Sequence, residues 1–151
     1  MKNLLREVKR EQKMAEHLFY VSLKYTKSGD VILNLIDKWQ KMIGNCVELL
    51  LKKAKKNKKI IKVPIAPRAK EIVTREAYHK DPIVEKVLAI YPLFRRMADL
   101  EKIKEHEFRK NVAVRVIDSG KEIEINMEKL KEWYELFNNF VVFCEKIYAS
   151  K

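Results

Sequence analysis

The sequence predicts a mainly α fold, an up-and-down helical bundle of four to five helices with one β-hairpin at about 112–126, in a single domain spanning 1–151. Three observations predict it. Apolar residues recur at the three-to-four spacing of a helix face through most of the chain. Only three glycines and four prolines interrupt that pattern. One segment, 112–126, switches to a period of two.

The most regular stripe runs from Asp30 to Lys56, through Ile32, Leu35, Trp39, Ile43, Cys46 and Leu50. It reads as a central helix buried along most of its length. A first helix precedes it, from about Asn3 to Thr26, with Leu4, Val8, Ala15, Leu18, Ser22 and Tyr25 on one face. The junction Ser28-Gly29-Asp30 has two readings. Gly29 as a left-handed C′ residue with Asp30 as an N-cap makes a turn. A helix running straight through keeps the three-four phase but would be about 80 Å long at ~1.5 Å per residue. A compact domain of this size is about 40 Å across, so the turn is favoured.

Lys52–Lys62 holds seven lysines in eleven positions. Ile60, Ile61 and Val63 then read as an extended segment pinned to the core, and Pro64 and Pro67 bar helix there. A short helix follows at about Arg68–Tyr78. Asp81-Pro82 is a helix start, and its stripe continues past Pro92, where a kink or restart is expected, to about Ile103. In the hairpin, a loop at Ser119-Gly120 sets Val116 beside Ile123, Val114 beside Ile125 and Arg115 opposite Glu124, the last two as an ion pair. Asn126 caps a last helix to about Tyr148, whose stripe is the most aromatic in the chain.

Net charge is +12, unevenly placed. Residues 52–80 carry 11 basic and 2 acidic side chains, whereas 118–151 carry 5 and 7. This concentration makes Lys52, Lys53, Lys55, Lys56, Lys58, Lys59, Lys62, Arg68, Lys70 and Arg75 the candidate nucleic-acid-binding residues, with Arg95-Arg96 a second cluster. Lysines in a last helical turn also suit the helix dipole. Cys46 and Cys144 lie on apolar stripes and read as buried free thiols. The charged start MKNLLREVKREQK is no signal peptide and no apolar run reaches membrane-span length, so a soluble, cytoplasmic protein with no membrane partner is expected.

No motif names a reaction. His17, His79, His106 and the two cysteines lack metal-ligand spacing, so neither a metal nor a cofactor is expected. There is no glycine-rich phosphate loop and no Gly-x-Ser-x-Gly elbow. Glu101, Glu105, His106 and Glu107 read as a solvated helix end.

The stretch from Ala15-Glu16-His17 through Ser28-Gly29-Asp30 to Glu48-Leu49-Leu50-Leu51-Lys52-Lys53 resembles the helical pair of HEPN-type domains. That resemblance implies an up-and-down bundle that dimerises, and an RNase or a nucleotidyltransferase partner in prokaryotic defence. The family's motif is Arg, then four to six residues of which the first is polar, usually Asn, Asp or His, then His. Arg10 and His17 meet the spacing with Glu11 in the polar place, while Arg75 and His79 have three residues between them. The chain is also similar to small helical proteins common in archaea, a likeness that carries no function. Taken together, the expected function is a non-catalytic interaction module self-associating through apolar helix faces, those of the central stripe and the C-terminal aromatic helix. The alternative is an RNA-binding protein using the basic patch at 52–75, with a HEPN-like RNase third.

Overall fold

The computed structural model describes residues 1–151. Helix α1 runs over Lys2–His17, continues as a π-helical stretch, Leu18–Ser22, and finishes with the turn Leu23–Tyr25. Helix α2 spans Gly29–Lys56, α3 Pro67–Ala77 and α4 Pro82–Arg96, the last followed by a 3-10 turn, Met97–Asp99. Strands β1 (Glu101–Glu105), β2 (Ala113–Asp118) and β3 (Lys121–Asn126) form one antiparallel sheet, and α5 (Met127–Ala149) closes the chain. The mainly α bundle with a small β element is the fold that the periodicity predicts.

The core is built on α2. Ile32, Leu35, Trp39, Ile43, Cys46 and Leu50 are almost wholly buried. Trp39 meets Phe137 of α5 edge-on at 5.1 Å and lies parallel to Phe94 of α4 at 6.5 Å. Phe94 in turn meets Phe137 and Trp133, so four rings tie three helices together. On the opposite side α1 runs antiparallel to α5, through Lys9–Glu145, Gln12–Asn138 and the stacked rings of Phe19 and Tyr134.

The chain turns between α1 and α2, but not as expected. Thr26 and Ser28 are extended, and the Ser28 hydroxyl, not Asp30, caps α2 by accepting from the Val31 N–H at 3.2 Å. Gly29 is the first helical residue and has no positive φ. A close approach explains the glycine: a Cβ there would lie 2.5 Å from Lys104 Cγ.

The π-helical stretch changes which side of α1 faces inward. It widens one turn and delays the phase by about one residue. Leu23 is therefore fully buried, while Tyr25, expected on the inner face, is 78% exposed.

The β element has three strands rather than two. Beyond the 3-10 turn, the residues expected to extend helix α4 to Ile103 enter β1, which pairs with β2 from Glu101↔Ile117 to Glu105↔Ala113. Glu101, Glu105, His106 and Glu107, expected as a solvated helix end, thus lie on a strand and its loop, with Glu107 accepting from the Gly29 N–H at 3.0 Å. The β2–β3 register is the expected one, with Val116↔Ile123, Val114↔Ile125 and Arg115↔Glu124. The Arg115 ion pairs nevertheless go to Glu105 at 2.9 Å and Glu122 at 3.1 Å, since the third strand offers a nearer carboxylate. Val114, Val116 and Ile125 bury the inner face against the helices. Of the segment after α2, Ile60 and Val63 touch the core, whereas Ile61 is 96% exposed.

Helix α4 passes through Pro92. Proline there leaves the Leu88 carbonyl without its helical donor, and Arg75 Nη2 donates to it at 2.9 Å.

Two outcomes test this packing. Gly29→Ala should lower stability to urea by about 1–2 kcal/mol through crowding, and adding Lys104→Ala should recover most of the loss. Tyr78 donates its hydroxyl to Leu50 O at 2.7 Å, and burial, then the neighbouring Cys144 and Asp81, pushes its phenol up to about 12. The neutral phenol is favoured in the folded state, so this contribution is complete below pH 10 and is lost as pH rises through about 12. The stability difference between wild type and Tyr78→Phe should therefore shrink across that window in alkaline unfolding.

Candidate nucleic-acid interface

The ten basic residues singled out between 52 and 75 have three different fates. Lys53 is buried, and its ammonium donates to the Tyr148 carbonyl at 3.3 Å and to the Ser150 carbonyl, tying the end of α2 to the end of α5. Lys70 is held by Glu48 at 2.8 Å. Arg75 is spent on Glu85 and on the Leu88 carbonyl. These three are structural, because each is drawn to a carbonyl or carboxylate that folding leaves beside it. Lys59 sits over the Tyr78 ring at 5.2 Å. Lys52, Lys55, Lys56, Lys58, Lys62 and Arg68 are exposed and make no ion pair. Arg95 and Arg96 are paired with Glu71 and Asp118, so the second cluster offers no free cations.

A second basic surface lies on α1. Lys2, Arg6, Lys9 and Lys13 stand in one row on its outer side, at spacings of four, three and four. Together with Arg10 and Tyr148 they line a groove of about 720 Å³. Lys2, Arg6 and Lys13 have no carboxylate partner. Lys9 is bridged to Glu145 at 3.1 Å, and Arg10 to Glu7 at 3.5 Å. Two further hollows of about 330 and 410 Å³ continue the groove, sharing Lys13 and reaching His17, Lys38 and Tyr20.

Charge counting hides this row. Over residues 1–20 five basic side chains are set against Glu7, Glu11 and Glu16, so the window looks nearly balanced. Glu11, however, is turned into the core, with Oε2 unpartnered. The helical positions 2, 6, 9 and 13 carried the signal.

The two basic surfaces share an end of the bundle. α1 is antiparallel to α2, so its first turn lies about level with the last turn of α2. Lys53 makes the connection, because the carbonyl it grips belongs to Tyr148, a wall of the groove.

Other chemistry is sparsely provided. Cys46 and Cys144 are fully buried, and burial together with the Cys46 thiol pushes the Cys144 thiol well up, away from thiolate. No group of three His, Cys, Asp or Glu side chains gathers where a metal would bind. Arg10 and His17 lie two turns apart on α1, both facing the groove and its continuation. No helix is long and apolar enough to cross a membrane.

Both apolar stripes offered for self-association are consumed inside the chain. Trp39 and Leu50 of α2, and Phe137 and Phe140 of α5, are core residues. The large apolar side chains left outside include Tyr20, Val21 and Tyr25 at the end of α1 and Phe108 in the β1–β2 loop. The Phe108 N–H donates to Lys27 O at 2.6 Å, which draws that loop to the end of α1.

Comparisons with protein-family models, with curated proteins and with solved structures found no match.

Proposed function

We propose that the protein binds a polyanion, nucleic acid foremost, along the α1 groove, with Lys52, Lys55 and Lys56 at the same end of the bundle as a second point of attachment. The observation that supports this reading is the row of cations on one helix face, three of them without a carboxylate partner, beside a groove. Phosphate contacts by lysine and arginine give affinity that is backbone-led and falls with salt.

Titration of labelled RNA and DNA at two salt concentrations should show binding that weakens with salt. Arg6→Glu with Lys13→Glu should weaken it at least tenfold and flatten the salt slope by about 0.7 per lost contact for a single strand. Lys55→Glu with Lys56→Glu should have a smaller effect. No binding by wild type at low salt removes the reading.

A second reading is self-association, supported by the exposed Tyr25 and Phe108, at 78% and 73%. If this end is the interface, light scattering at high concentration should give a dimer mass, and Tyr25→Asp with Phe108→Asp should give a monomer. A strict monomer in wild type rules it out.

A further inference from the structure

The polyanion reading leaves open which form of nucleic acid fits, and the far end of the same groove bears on that. Tyr20 is 57% exposed, yet its ring is not loose. It stands edge-on to Phe19 at 5.1 Å and to Tyr134 at 5.2 Å, both at 86°, while those two rings stack on each other at 4.7 Å. The Tyr20 ring is thus oriented by an aromatic pair beneath it and borders the hollow of about 410 Å³ with Lys13, Glu16, His17 and Val21, so that the carboxylate of Glu16 keeps phosphates to the Lys13 side and leaves the ring to a base. A second, independent observation concerns the backbone. Tyr20 lies within the π-helical stretch Leu18–Ser22, a geometry that is rare and often found at functional positions.

We propose that the groove takes a single-stranded nucleic acid, with phosphates on Lys2, Arg6 and Lys13 and a base stacked on Tyr20; the proposal rests on the polyanion reading above. Lys2 to Tyr20 covers about 27 Å of helix at ~1.5 Å per residue. That leaves room for several nucleotides of an extended strand, toward the lower end of the ~4–16 covered by known single-strand sites. Base stacking on an aromatic ring requires an exposed base face, which a single strand presents and the interior of a duplex does not. Sequence preference is expected to be weak, because every base has such a face.

The test compares three labelled probes by fluorescence anisotropy: a single strand of about twelve nucleotides (within the ~4–16 of known single-strand sites), made as RNA and as DNA; a duplex of the same sequence; and heparin, which has charge but no bases. Wild type should bind the single strand tighter than the duplex. Tyr20→Ala should weaken single-strand binding about tenfold, within the ~1–3 kcal/mol expected for one stacked base. Its heparin affinity should not change, and Tyr20→Phe should bind like wild type. Unchanged single-strand binding by Tyr20→Ala overturns the stacking role while leaving the polyanion reading intact. Equal losses for heparin and single strand also overturn it, since the ring would then act through the fold. Wild type that binds none of the probes overturns both readings. The RNA and DNA arms decide which sugar is preferred.

Discussion

Burial of α2 is the constraint on which the rest depends. A helix of 28 residues with an apolar face along its whole length must be covered or must aggregate. The turn at Thr26–Ser28 supplies the first cover by folding α1 back along it. The aromatic cluster around Trp39 supplies the second, by seating α4 and α5. Once both are in place the stripe has no surface left to offer a partner, and the outer face of α1 stays exposed with three cations that have no carboxylate partner.

The parts of the fold that are legible in the sequence are those set by local periodicity. The stripe of α2, the Asn126 cap, with Oδ1 accepting from the Lys129 N–H, and the β2–β3 register follow from spacing alone. Strand β1 does not. Its sequence, EKIKE, has one apolar residue, and it is a strand because β2 offers an edge of backbone donors and acceptors. The inward turn of Leu23 in place of Tyr25 was equally hidden, since a π-helical stretch leaves no mark in a three-four pattern.

The basic surface was half legible, for a related reason. A count of charges in a window records composition, but which lysines remain free is settled by tertiary neighbours. Lys53, Lys70 and Arg75 are withdrawn by groups brought close only on folding: the last carbonyls of α5, Glu48, and the carbonyl left open by Pro92. Glu11 is withdrawn from the surface in the same way, since its side chain is turned into the core.

The grip of Lys53 on the end of α5 has an electrostatic consequence. A helix C-terminus carries roughly half a negative charge on its open carbonyls, and α2 and α5 both end at the pole where the α1 groove begins. The buried ammonium of Lys53, seated on the Tyr148 and Ser150 carbonyls, opposes the partial charge at the end of α5. Lys53, a residue of the last turn of α2, thereby sets a positive charge on the negative end of α5 from inside the bundle.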